Sequence, residues 1–361
     1  MSKLAATVVH SCLRIRPDDN ATIWFYPHNT ALAEEIATEC FKAGADAMLA
    51  LYTDTFYKAY MKYLPVESLR QPSVFCRGLG ELSTAQFWVG GAYDPSMFRH
   101  FPPDKAVAVD EGEAAAHAPV AKARKVRSMF VGPAMVTRPR AKAYGFPFAP
   151  WRQMMAQASS VSPSKLSADG KRVAAHIEAG DVVRITAENG TDLELSVKGR
   201  RATVYDGVVD DEDIARGAVD ASVPSGNVSV IPVESSANGS AVLDVPQAWS
   251  GRTVKQVRWK FVDGRVTEFS GDATSAALRK QWELATGDKD VIAGLSIGIN
   301  PKARLGFLSN EIVRGAVNLS VGGNEWVGGA NKSGFSHGHA LAHADVEVDG
   351  KPVVRDGRLA L

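Results

Sequence analysis

Cysteine is scarce. Cys12, Cys40 and Cys76 are the only three in 361 residues, odd in number and all in the first quarter of the chain. That pattern argues against a disulfide framework and for free, buried thiols in a reducing cytoplasm. Long apolar runs are also lacking. No stretch approaches the ~20 consecutive apolar residues of a membrane span, and Met1–Arg16 has neither the apolar run nor the small-residue cleavage site of a signal peptide. A cytoplasmic location is expected. Nor does one sign of charge dominate. Lys and Arg number 41 against 40 Asp and Glu, for a formal net charge of +1. This leaves no electrostatic case for nucleic acid or an acidic membrane as the main partner. What is present is an ordinary apolar content of 45% and a length sufficient for two domains, since one core usually serves about 100–200 residues.

The first half alternates strand-like and helix-like segments. Ala21–Tyr26 reads as a strand, Ala31–Ala43 as a helix closed by Gly44, Asp46–Tyr52 as a strand and Thr55–Tyr63 as a helix. Phe87–Gly90 and Lys105–Val109 read as short buried strands, and Ala114–Lys125 as a helix. Asp110–Glu113 reads as a solvated acidic turn, and Lys122–Arg127 as the wet face of a helix. The pattern predicts α/β layering. A nucleotide site is not predicted: Tyr26-Pro27-His28-Asn29 follows the first strand without a glycine, and Gly78-Leu79-Gly80 is a lone G-x-G. Ser159, Ser160 and Ser162 lack the glycines of a nucleophile elbow.

From Val182 the texture becomes β-rich. Val182–Glu188 and Asp192–Lys198 alternate on a period of two around Asn189-Gly190, and Thr253–Phe261 and Arg265–Phe269 flank Asp263-Gly264. Both are hairpin signals. Val313–Val321 and Ala344–Val348 are further strands, and Ser275–Thr286 is the clearest helix. The expectation is an α/β N-terminal domain over 1–158 and a β-rich, α+β C-terminal domain over 159–361, divided near the Pro/Ser segment Ser159–Ser167.

Several strings in the second half occur together in one order. They are Thr191-Asp192-Leu193 with Gly199-Arg200, then Pro224-Ser225-Gly226-Asn227-Val228, then Pro232-Val233-Glu234 with Asn238-Gly239. Ile297-Gly298 with Asn300-Pro301-Lys302-Ala303, Gly315-Ala316-Val317-Asn318-Leu319 and Val348-Asp349-Gly350 complete the set. Over Asp181–Gly350 the chain resembles the thermophilic metallo-aminopeptidases. That resemblance implies an aminopeptidase-like, two-domain fold, a cleft for peptide N-termini and a homodimer or a heterodimer with a homologue. In the family, two divalent metals polarise the scissile carbonyl and activate water.

The departures fall on the implied metal ligands. The first family Glu is Asn227, the second falls on Gly294, the family His is Asn318, and the family Tyr is Glu325, beside Trp326. The closing His-x-Asp pair belongs near Ser336–Asp345, where only His343 has an Asp two residues on, Asp345. Neutral amides and a glycine are poor replacements for charged ligands. The resemblance therefore implies a degenerate member without cofactor or catalytic residues. It would bind a peptide or peptide-like segment, for example as an adaptor for a precursor peptide in a biosynthetic pathway. Asn227, Glu234, Asn318, Glu325, Trp326, His337 and His339 are the expected ligand-binding residues. Trp326 stands out among seven tryptophans because Gly322-Gly323 and Gly328-Gly329 flank it, so it is expected to anchor a ligand in the C-terminal domain's cleft. The alternative is a metal-dependent hydrolase or single-metal oxygenase. Some relatives resemble ring-cleaving iron oxygenases, and His337, His339, His343 and Asp345 would be the ligands.

Overall fold

The computed structural model describes residues 3–361; Met1 and Ser2, the start of the expected N-terminal domain, lie outside the described residues, as does the side chain of Lys122 in the basic run. The fold is mixed α/β, with one parallel sheet and β-rich antiparallel sheets. The chain forms two compact units. The first comprises residues 1–159, 207–224 and 325–328, and the second 160–206, 225–324 and 329–361. A single boundary does not describe this division. Asp220–Val223, from the expected C-terminal domain, pairs with Arg127–Val131 and completes the first unit's sheet.

That sheet has five parallel strands in the order Asp46–Leu51, Asn20–Phe25, Ala85–Val89, Arg127–Val131, Asp220–Val223. Parallel neighbours need crossover connections, and the helices Thr30–Lys42, Asp54–Tyr63, Val74–Leu82 and Pro103–Arg124 lie between the first four. Side chains alternate along each strand, so the sheet has two chemistries. Ile23, Phe25, Phe87, Val89, Met129 and Val131 enter the core with Val8, Leu13, Ile36 and Cys40. The opposite face carries Thr22, Gln86, Ser128 and Asp220 in one register row, and Trp24, Trp88, Phe130 and Ser222 in the next.

Lys105–Val109 is not a strand but part of the helix Pro103–Arg124, which also absorbs the acidic stretch Asp110–Glu113. Its run of small apolar residues fits either period, and tertiary packing decides. Ala108 and Val109 bury against Met61 and Leu69, while Lys105 Nζ donates to the Met61 and Leu64 carbonyls. Gly112 permits this approach, since a Cβ there would stand 2.3 Å from the Leu69 carbonyl oxygen. Cys12, Cys40 and Cys76 are free thiols. Among the described residues no helix is long and apolar enough to cross a membrane.

The second unit has two large antiparallel sheets and a two-stranded one, Gln247–Trp249 with Arg252–Val254. The larger has eight strands, in the order Arg265–Gly271, Val257–Val262, Asn238–Leu243, Thr191–Ser196, Val182–Ala187, Asp345–Val348, Lys351–Arg355, Arg358–Leu359. Both expected hairpins are present in it. At the second, Asp263 (φ 48°) and Gly264 (φ 80°) supply the left-handed pair that a tight turn requires. The smaller sheet has the order Ser336–Leu341, Val317–Gly322, Ile292–Gly298, Asn227–Val230, Ala202–Tyr205. Val313–Arg314 precede the strand expected to begin there, which starts at Val317.

One ion pair in the first unit is buried. The Arg127 guanidinium pairs with Asp19, both side chains being buried. It also donates to the Leu13 carbonyl, and the Thr84 hydroxyl donates to Asp19. Burial alone would raise the Asp19 pKa. The hydrogen bonds from Arg127, Thr84 and the Arg16 amide outweigh it and hold the carboxyl below its usual range. Asp19→Ala leaves the guanidinium buried and unpaired, so a loss of about 3–5 kcal/mol is expected by urea denaturation at pH 7. Because the folded-state pKa is depressed, the stabilisation is fully present above ~3.9 and is lost as the pH falls through the folded value. The gap between wild type and variant should therefore close only in strong acid.

Candidate functional site

The five-stranded sheet of the second unit carries the positions singled out by sequence. Register fixes which of them share a face. Asn227 lies opposite Gly298, Ser229 opposite Ser296, Ser296 opposite Asn318, and Gly294 opposite Ser320. Asn318 and Ser320 in turn face Ala340 and Gly338, and Gly322 faces Ser336. With a period of two, one face of the sheet reads Asn227, Ser229, Gly294, Ser296, Asn318 and Ser320, closed by Ser336 and Gly338. It is a surface of small polar groups. The amides of Asn227 and Asn318 make no hydrogen bond with any other described residue, so both retain donors and an acceptor for a ligand.

The opposite face reads Val228, Val230, Leu295, Ile297, Val317, Leu319 and Val321, and it continues in the last strand as His337, His339 and Leu341. The two histidines therefore sit in the apolar core, at 5% and 0% exposure. His337 Nε2 lies 3.3 Å from His339 Nδ1, and Trp259 of the eight-stranded sheet packs edge-on against His337. Burial, aided by the neighbouring His339, pushes the His337 pKa down to about 3. Burial pushes His339 down to about 4, against the opposing pull of the Val245 backbone and Asp244. Both rings are neutral near pH 7. His339 Nε2 has no hydrogen-bond partner among the described residues.

The remaining expected residues do not join them. His343 is 80% exposed and pairs with Asp356 at 2.8 Å. Asp345 belongs to the other sheet, where it pairs with Thr186 in register and with Arg355 in charge. The four-residue set His337, His339, His343 and Asp345 is thus not a metal site. Two members point into the core, Asp345 lies on the other sheet, and His343 lies in the turn before it. Among the described residues no group of three or more His, Cys, Asp or Glu is placed to hold a metal ion. Glu234 is committed to an ion pair with Arg200. Glu325 and Trp326 form a short turn, Glu325–Val327, that belongs to the first unit and not to the second unit's cleft. Trp326 stays 54% exposed there.

That turn borders a feature that the sequence did not reveal, a cavity of about 150 Å³ within the first unit. Gln86, Ser128 and Asp220, neighbours in one row across the parallel sheet, form its polar wall. Trp88, His117 and Trp326 supply aromatic walls. Trp88 stacks on Trp24, with centroids 5.5 Å apart and planes 8° apart, and meets His117 edge-on. Burial pushes the Asp220 carboxyl up to about 6 in spite of a hydrogen bond with Ser128, and burial lowers the His117 pKa. No single segment signals this cavity, because its wall comes from residues far apart in the chain.

The sequence profile of the NicX, 2,5-dihydroxypyridine 5,6-dioxygenase, family matches residues 152–361. No curated protein matches the sequence. Among solved structures, AmpT from Thermus thermophilus superposes with a TM-score of 0.75 at 15% identity, covering 99% of this chain and 98% of AmpT. The 2,5-dihydroxypyridine dioxygenase from Pseudomonas putida superposes with a TM-score of 0.63 at 13% identity, covering 99% and 96%. The fold is aminopeptidase-like, and it is shared with a dioxygenase.

The buried histidines make an acid-linked contribution to stability with a definite sign. Their folded-state pKa values lie below the ordinary ~6.5, so the folded protein binds fewer protons than the unfolded chain in that range. Stability from this source is full above ~6.5 and falls as the pH drops towards the folded values. The double variant His337→Leu/His339→Leu is expected to show a flatter stability profile between about pH 6.5 and 4 in urea titrations. Imidazole nitrogen shifts in the wild type should report neutral rings at pH 6.

Proposed function

The chain belongs to the NicX, 2,5-dihydroxypyridine 5,6-dioxygenase, family, and we propose that it is a member that binds a peptide or peptide-like segment without metal chemistry. The carrying observation is the composition of one sheet face. The positions that correspond to the implied metal ligands, Asn227, Gly294 and Asn318, offer two neutral amides and no side chain. The closing strand adds Ser336 and Gly338 to that face and turns its histidines the other way. A divalent ion needs several charged or imidazole ligands converging on it. This donor set does not fit one.

The same face is suited to an extended chain. Asn227 and Asn318 carry donors and acceptors without the desolvation cost of an unpaired charge, and Gly294 and Gly338 add no side chain to the face between them. With a net charge of +1, binding would rest on shape and hydrogen bonds, with modest salt dependence. An adaptor role for a precursor peptide, and a second copy or a homologue as partner subunit, extend this reading on the scaffold's resemblance.

The family profile favours a second reading, a dioxygenase acting on a hydroxylated pyridine. It would require metal ligands that the described residues do not bring together. The two readings separate cleanly by experiment. Protein purified without a histidine tag is expected to hold far less than one equivalent of iron, zinc, cobalt or manganese. It should consume no oxygen with 2,5-dihydroxypyridine and release no product from amino-acid anilides with added metal. Stoichiometric metal with turnover that survives repurification would overturn the proposal. Asn227→Glu with Asn318→His is expected to leave the protein inactive, because Gly294, Ser336 and Gly338 still lack ligand groups. Against a panel of unstructured peptides in calorimetric titration, Asn318→Ala should weaken any binding by about 1 kcal/mol. Absence of binding across the panel would remove the peptide.

A further inference from the structure

The cavity of the first unit has an electrostatic imbalance that the sheet face of the second unit does not share. Asp220 is half-buried on the last parallel strand, and its carboxylate makes no ion pair among the described residues. Its polar neighbours in the wall are the buried Gln86, the hydroxyl of Ser128, and His117, whose pKa burial lowers. Among the described residues neither lysine nor arginine lines the cavity. A carboxylate withdrawn from water without a partner is costly, and a bound cation removes that cost. The remaining walls are aromatic, and indole faces attract cations electrostatically. Trp326 reaches the cavity from an exposed turn and stays 54% exposed, which leaves it accessible to an incoming group. A volume of about 150 Å³ is comparable with that of engineered cavities that hold a benzene-sized molecule. It would take a charged head and a few methylenes.

We propose that this cavity binds an organic cation bearing N–H donors, an ammonium or guanidinium group, through Asp220 with Trp88 and Trp326 as aromatic walls. Gln86 and His117 offer further acceptors for the N–H groups. The site lies wholly within the first unit and does not depend on the reading of the second unit's sheet. The same chemistry is available from a basic side chain or from the amino end of a peptide.

The test is titration of the full-length protein with four probes, followed through the tryptophan indole N–H resonances. N-acetyl-lysine amide and N-acetyl-arginine amide represent basic side chains, glycine amide an amino terminus, and N-acetyl-norleucine amide a neutral control. At least one of the three cations is expected to bind and to bind better than norleucine, and the one that binds best identifies the source. Asp220→Asn should weaken it roughly ten- to hundredfold. Trp326→Ala, a substitution at an exposed position that should leave the fold intact, should weaken it about three- to thirtyfold. No binding by any cation at millimolar concentration, equal binding of the norleucine control, or unchanged affinity in Trp326→Ala and in folded Asp220→Asn would each overturn the assignment.

Discussion

The two-residue period of a β-strand is the constraint from which the rest of this molecule follows. Successive side chains must point to opposite faces, so a strand with one buried face writes two independent messages in alternate letters. In Ser336–Leu341 the letters are Ser, Gly and Ala on one side and His, His and Leu on the other. The histidines belong to the packing message. They fill space beside Trp259, remain neutral and bind each other. The face that would carry chemistry receives a hydroxyl and a glycine from the same strand. A shift of one residue in register would exchange the two sets, but it would also expose Leu341 and bury Ser336. The apolar core between the two sheets fixes the register and with it the chemistry.

The parallel sheet of the first unit obeys the same rule with a different outcome. Its inner face is a conventional core, and its outer rows are polar and aromatic. Antiparallel sheets often have one wet face, but a parallel sheet is usually covered on both sides. A row of Gln86, Ser128 and Asp220 is therefore unusual enough to define a cavity. The two units thus present polar faces of opposite temperament. One is uncharged and rich in amides and hydroxyls, and the other is built around a single carboxylate with aromatic neighbours.

Local signals in the sequence were readable where one period dominates. The hairpins at Asn189-Gly190 and Asp263-Gly264, the strand Asp46–Leu51 and the helix Thr30–Lys42 all follow from alternation, turn chemistry and apolar spacing. Lys105–Val109 misled because its four small apolar residues fit both periods, and the partner that decided, Leu69, is far away in sequence. The spacing of His337, His339, His343 and Asp345 suggested convergence. The turn at His343, in a left-handed conformation, instead carries the chain from one sheet to the other. Trp326 stood out on its glycine-rich loop as a ligand anchor of the C-terminal domain's cleft, but its place in the first unit was not legible. Asp220 and Ser128 were invisible as a pair, because only strand order makes residues so far apart adjacent.

The division of the chain also has a consequence for its biosynthesis. The first unit is not made first. Its sheet lacks an edge until Asp220–Val223 has been synthesised, and its cavity lacks one aromatic wall until Trp326 follows. Domains that fold during translation usually do so as continuous stretches emerging from the N-terminus. Here the nascent N-terminal segment must wait, with the Arg127–Val131 strand unpaired along one edge, while the second unit's first three strands, Val182–Ala187, Thr191–Ser196 and Ala202–Tyr205, leave the ribosome. An unpaired strand edge invites association with other chains, so the interval between the emergence of Val131 and that of Val223 is the period in which the Arg127–Val131 edge is open to such pairing.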